Sequence, residues 1–384
     1  MKNLRLLAII EANTITGPAK NLLSFAEMAR PGNVDPGVEV LLGVFKRPGT
    51  SDVFTEAARR YSVPVHYIPQ TGRFHPAVLK RMAGLVRELR PDLIQTHAVK
   101  SHLLARLSGI HKLAPWIAFH HGYTWTDATM LAYNQFDRWS LRAADRVVTV
   151  SLPFREQLTR MGVKPSRIEV LHNAIRPDWA SGHRKPEIRA ALRAQLKIAP
   201  EKKIILIVGR LSREKDHQTP LDAMHRLAQM AAAGEIPAVH LLVIGEGPER
   251  PRMEDSIRRL KLSESVTLVG QVPSAEPYYG IADVAVLSSR TEGSPNALLE
   301  SMAARIPTVA TAVGGVPEIA TNNDTALLIP TGDAEAMARA IASLLANETL
   351  ADRLCEAAYQ TILTRFTPEA RARRLLSIYQ SVLS

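Results

Sequence analysis

Short apolar runs alternate with longer amphipathic stretches along the whole chain. In the first half the runs are Leu4–Ile10, Val38–Phe45, Val63–Ile68, Leu93–Thr96, Ile117–His120, Val147–Val150 and Ile168–Leu171. In the second half they are Ile204–Val208, His240–Ile244, Val266–Val269, Val284–Leu287, Thr308–Ala312 and Ala326–Ile329. Strands that are apolar at nearly every position are buried on both faces, as in parallel sheets covered by helices. Two such series predict an α/β protein of two doubly wound, Rossmann-like domains. The stretch 174–200 has scattered Pro and Gly and no strand pattern. It separates a domain over residues 1–180 from one over 181–367, with a helix expected at Pro186–Leu196. The segment 368–384 has apolar residues at helical spacing and is expected to cross back onto the first domain.

Ligands of open α/β sheets bind beyond the carboxyl ends of the strands, so the loops there decide the chemistry. Ser289–Glu300, SRTEGSPNALLE, holds two carboxylates, Glu292 and Glu300, around a helix start. Ser294 reads as an N-cap and Pro295 as the first helical residue. The N–H groups of Asn296 and Ala297 then suit an anion at the positive end of the helix. The loop GRLSREKD after Ile204–Val208 supplies Arg210 and Lys215, a planar fork and a mobile point charge for phosphate. Gly314 and Gly315 let backbone approach a ligand closely. In the first half, Gly17 precedes Pro18 and a helix. His97, His120 and His121 lie at strand ends, where a histidine can act as acid, base or hydrogen-bond donor.

Composition narrows the classes. The 384 residues carry a formal charge of +11, which favours an anionic partner. The basic residues are dispersed and aromatics make up 5 %, which argues against nucleic acid. The opening MKNLRLLAII reads as a first strand and not a signal peptide. A single cysteine fits a cytoplasmic chain. GEGPER at Gly245–Arg250 is an incomplete dinucleotide fingerprint. Absence of Asp-x-Asp, HExxH and paired CxxC argues against a metal site and a resident cofactor.

Taken in order, VGRLSREKD, LLVIGEGPE, VTLVGQVP and the run from Ala282 to Ile319 resemble the retaining glycosyltransferases of family 4, including the Glu-x7-Glu pair at Glu292 and Glu300. DLIQTHAVKSHLLA, HHGYTW, AADRVVTVS and IEVLHNAI carry the resemblance through the first domain. It implies the GT-B fold, two Rossmann-like domains facing across a cleft, and metal-independent transfer of a hexosyl or N-acetylhexosaminyl group from a UDP- or GDP-sugar. Arg210 and Lys215 are then expected at the diphosphate, the backbone of Gly293, Ser294, Pro295, Asn296 and Ala297 at the distal phosphate, and Glu300 at the ribose. Glu292 and His121 are expected at the donor sugar, the loop at Val272 at the base, and Gly17 near the phosphate. His97, His120 and Tyr123 stand on the acceptor side. Thr16 replaces a usual glycine, Arg176 stands in the segment Asn173-Ala174-Ile175-Arg176 where Asp is common, and Asp216 follows Lys215 where glycine is usual.

The expected acceptor is a glycan or lipid-linked glycan of cell-envelope polysaccharide, lipopolysaccharide or glycolipid synthesis. The segment HPAVLKRMAGLVRELRP, with Lys80, Arg81, Arg87 and Arg90 beside apolar residues, suggests a helix lying on an anionic membrane at the inner face of the plasma membrane. An ordinary surface helix of an α/β domain is the alternative and the favoured reading. Two other functions compete: a nucleotide-sugar epimerase of the same fold, and a non-catalytic nucleotide-sugar-binding protein. The complete charge set argues against both.

Overall fold

The computed structural model describes residues 3–11, 17–49, 52–70, 76–122, 128–183 and 185–384. Tyr123 and Thr16 lie outside the described residues. The chain divides into two compact units, 1–173 with 368–384, and 174–367. Each is built on one parallel sheet.

The first sheet contains β1 (Leu4–Ile10), β2 (Val38–Lys46), β3 (Val65–Pro69), β4 (Leu93–His97), β5 (Trp116–His120), β6 (Arg146–Thr149) and β7 (Ile168–Val170), in the spatial order β3-β2-β1-β4-β5-β6-β7. The second contains β8 (Lys203–Val208), β9 (Val239–Ile244), β10 (Val266–Gly270), β11 (Val284–Leu287), β12 (Thr308–Thr311) and β13 (Leu327–Ile329), in the order β10-β9-β8-β11-β12-β13. All thirteen predicted strands form, with ends shifted by two residues at most.

Strand alternation sends Leu6, Ala8 and Ile10 to one face of the first sheet and Leu7 and Ile9 to the other. Leu6, Ala8 and Ile10 pack with the helix Gly17–Met28 and the last helix, Pro368–Leu383. Phe25 meets Tyr379 edge to face, ring centres 5.5 Å apart. Leu7 and Ile9 pack with the helix Ala77–Leu89 through Val78, Met82 and Val86. Core packing consumes the apolar stripe, while Lys80, Arg81, Arg87 and Arg90 remain exposed. Among the described residues no helix is long and apolar enough to cross a membrane.

Both sheets reverse their winding once. The reversal falls between β1 and β4 in the first unit and between β8 and β11 in the second. Such switch points open a crevice between loops that diverge to opposite sides, which is where open α/β sheets bind ligands.

Candidate functional site

In the second unit the loops after β8 and β11 meet at the switch point. Lys215 Nζ donates to Glu292 Oε1 at 2.5 Å, joining residues 77 positions apart. Ser289 Oγ donates to the same oxygen at 2.6 Å. The Glu292 side chain is 9 % exposed and that of Lys215 25 %, so the pair is shielded yet open on the lysine side. The Ser288 hydroxyl bonds the Lys215 carbonyl at 2.7 Å, and Arg290 N bonds the Glu214 carbonyl at 2.8 Å, which stitches the two loops together.

Arg210 belongs to the same loop and is exposed. Its carbonyl accepts from His217 Nε2 at 3.0 Å. Burial tends to raise the Glu214 carboxyl, but the bond from Ser212 and the charges of Lys215 and Arg210 outweigh it and hold Glu214 below its usual range.

Asp216 explains one departure from the family pattern. Its φ is +48°, the left-handed conformation in which a glycine would be unstrained. Asp tolerates this region better than most residues. Its buried carboxylate is engaged by Thr219 Oγ1 at 2.9 Å and Arg290 Nε at 3.1 Å, so side-chain bonds offset the backbone cost.

The helix after Glu292 runs Asn296–Ala303. Its cap position is Pro295, with extended ψ of 119°, where the sequence pattern suggested Ser294. Proline's fixed φ suits both the cap and the first turn, so the start slides by one residue. Ser294 and Pro295 are buried, and Gly293 is half-buried. Glu300 Oε2 accepts from the buried Tyr279 hydroxyl at 3.0 Å, a partner that sequence reasoning missed. Val272 is half-buried beside the cluster containing Tyr278 and Trp179.

Two glycines act by close approach. A Cβ on Gly314, where φ is +55°, would lie 1.9 Å from the Glu292 carbonyl oxygen, and the Gly315 N–H bonds that same oxygen at 3.2 Å. A Cβ on Gly245 would lie 1.8 Å from the Gly209 oxygen. The loops after β8, β9, β11 and β12 are therefore packed backbone to backbone around Lys215 and Glu292.

In the first unit the adjacent histidines point to different partners. His120 is buried, with Nδ1 3.7 Å from Asp137 Oδ2, while His102 Nδ1 is 2.6 Å from the other oxygen of that carboxylate. Burial opposes the Asp137 charge, but His102 and His120 hold its carboxyl far below the usual range. His121 instead stacks on His97, ring centres 5.7 Å apart and planes 9° from parallel. His97 ends β4 at the switch point, and the next residue, Ala98, has φ +72°. His97, His121, Asn21, Gln95 and Arg371 line one small pocket at the N-terminal turns of the helix Gly17–Met28. Burial, aided by the charges of His120, Arg371 and His102, pulls His121 down to about 3. It also drives His97 well below the ordinary histidine range, so both rings are neutral near pH 7. Among the described residues no group of three or more His, Cys, Asp or Glu side chains is placed to hold a metal ion.

The model of the glycosyl transferases group 1 family matches residues 188–361, and that of the glycosyl transferase 4-like domain matches residues 22–174. The lipopolysaccharide core biosynthesis glycosyltransferase LpsE of Rhizobium meliloti is 27 % identical over 307 residues, 80 % of each chain. The N-acetyl-alpha-D-glucosaminyl L-malate synthase of Bacillus anthracis is 24 % identical over 312 residues, covering 80 % of this chain and 79 % of that protein. Among solved structures, Anabaena Alr3699/HepE in complex with UDP and glucose superposes with a TM-score of 0.83 at 18 % identity, covering 99 % of this chain and all of that one. This chain belongs to the group 1 glycosyltransferases and has the GT-B fold.

Proposed function

We propose that this glycosyltransferase is a retaining, metal-independent enzyme that takes a hexosyl or N-acetylhexosaminyl group from a UDP- or GDP-sugar. The observation that carries the reading is the Lys215–Glu292 pair at the switch point of the second sheet. A mobile cation paired with a carboxylate that shortly precedes a helix start suits a sugar diphosphate better than a neutral ligand.

In this reading Arg210, Lys215 and the backbone of 293–297 stabilise the diphosphate as its charge grows. Glu300 holds the ribose, the loop at Val272 reads the base, and Gly17 is assigned to the phosphate. Glu292 and His121 orient the sugar. The bond from C1 of the sugar to the phosphate oxygen breaks. A bond from the acceptor oxygen to C1 forms on the same face. The acceptor's proton passes to the departing phosphate oxygen. Fixed positive charge does the work that a divalent ion does elsewhere, and losing one such donor typically costs ~10²–10³ in rate. His97, His120 and Tyr123 are assigned to the acceptor side, with the His120 ring beside Asp137.

LpsE, named for lipopolysaccharide core biosynthesis, supports an envelope glycan or lipid-linked glycan as acceptor. HepE, crystallised with UDP and glucose, supports a nucleotide-sugar donor. With the apolar stripe of the helix Ala77–Leu89 buried, contact with an anionic membrane at the inner face of the plasma membrane rests on the exposed Lys80, Arg81, Arg87 and Arg90. Vesicle binding that is independent of anionic lipid and of salt would remove that part.

The central test is a thermal-shift panel of nucleotides and nucleotide-sugars. A ligand at ~100 times its Kd adds ~2.7 kcal/mol. Stabilisation by UDP or GDP and the matching sugar is expected. No shift with any member would overturn the donor class.

A further inference from the structure

Strand alternation puts Gln95 and His97 of β4 on the same face of the first sheet, beneath the last helix. Four side chains form an unbroken line there. The Tyr379 hydroxyl bonds Gln95 Oε1, across 284 positions of sequence. Gln95 Nε2 lies 2.6 Å from His97 Nε2, and His97 Nδ1 lies 3.4 Å from His121 Nε2. Tyr379, Gln95 and His97 are all buried.

The chemistry of these groups gives the line a direction. An amide oxygen only accepts and an amide nitrogen only donates. The phenol must therefore donate to Gln95 Oε1, and Gln95 must donate to His97 Nε2. A neutral His97 that accepts at Nε2 carries its single proton on Nδ1. It then donates to His121 Nε2, which leaves the His121 proton on Nδ1. Reversal requires the amide to turn over and the phenol to accept. The charge of Arg371, close enough to interact with Tyr379, favours the phenol oxygen toward the cation and its hydrogen away from it.

We propose that Tyr379, Gln95 and His97 are positioning residues that hold His121 in the tautomer protonated at Nδ1. The use of that N–H as a donor to a hydroxyl oxygen of the sugar rests on the role given to His121 above. The last helix thereby has a second task besides covering the sheet, since its Tyr379 starts the line. Each link biases the tautomer ratio by about 2- to 12-fold, the equilibrium worth of one neutral hydrogen bond.

The test is nitrogen-15 histidine spectroscopy of the full chain, with the His121 signals assigned by their loss in His121→Asn. Wild type is expected to show a protonated Nδ1 and a bare Nε2. Tyr379→Phe deletes only the hydroxyl, and Gln95→Met deletes the amide at similar volume. Each is expected to shift the ratio toward Nε2–H by about 2- to 12-fold. A wild-type His121 protonated at Nε2, or ratios unchanged in both folded variants, overturns the proposal. Kinetics separate it from the reading beneath it. A fall in kcat that follows the tautomer ratio, with affinity for bare UDP and GDP unchanged, supports both. A shifted ratio with unchanged transfer supports the tautomer control and overturns His121 as a sugar contact.

Discussion

Glu292→Gln gives the sharpest test of the second-unit site, because it should strengthen one property while destroying another. Glutamine keeps the size of the side chain and an oxygen to accept from Lys215 and Ser289, whose bonds to Glu292 Oε1 measure 2.5 and 2.6 Å. Only the charge is lost. Unit charges even 4 Å apart attract by about 4 kcal/mol at an effective dielectric of about 20. Desolvation and side-chain ordering take back most of that. A diphosphate reaching Lys215 must draw the ammonium away from this carboxylate. Removing the competitor is worth about 1–2 kcal/mol to the diphosphate, or about 5- to 30-fold in affinity. Transfer should nevertheless fall ~10²–10³, since the carboxylate that orients the sugar is gone. Lys215→Ala should lower both, with affinity down about 10- to 150-fold for the loss of a charged hydrogen bond. Calorimetry with whichever of UDP and GDP binds, alongside initial rates of nucleotide release with the donor sugar, reads both quantities. Weaker binding in Glu292→Gln with wild-type turnover would refute the assignment of both residues.

Other expectations follow from single contacts. Tyr279→Phe removes a buried donor to Glu300, a bond to a charged group worth about 1.5–3 kcal/mol, and should lower both the melting temperature and nucleotide affinity. Gly314→Ala places a methyl 1.9 Å from the Glu292 carbonyl at φ +55°, and should cost about 2 kcal/mol or more in denaturant unfolding and blunt transfer. A wild-type denaturation curve would show that the loop yields. Acidification should destabilise the fold through its buried histidines. Burial, with Lys202 and Arg193 adding, lowers His240 to about 4 from 6.5. Between those values the unfolded chain binds a proton that the native state does not, so stability falls as pH drops through the window. His240→Gln should flatten the slope of melting temperature against pH from 6.5 to 4, and an unchanged slope would count against a neutral His240.

Much of the fold was legible locally. Apolar runs of strand length located β1 to β13, and Pro186 marked a helix start that the structure retains. The loop residues Arg210, Lys215, Glu292 and Gly314 stood out because glycine, charge and proline at strand ends have direct backbone and electrostatic meanings. The start of the helix Asn296–Ala303 was displaced by one residue because Pro295 satisfies two adjacent positions equally. The basic helix at Ala77–Leu89 was ambiguous because an amphipathic stripe reads the same whether a sheet or a bilayer covers it.

The sequence alone determined the elements, their parallel-sheet class and which loops carry charge, since short continuous apolar runs and the 3.6-residue helical period are written within about ten positions of chain. Tertiary structure decided the partners. Lys215 meets Glu292, Tyr279 meets Glu300, and Tyr379 meets Gln95, because the order of strands gathers distant loops within the second unit and the final helix packs on the first sheet. His120 and His121 are adjacent in sequence yet part company, one to Asp137 and the other to His97, because neighbouring positions at a strand end project to opposite faces of the sheet. That division comes from the pleat and from the helices packed on either side of it, which no residue in the pair HH encodes by itself.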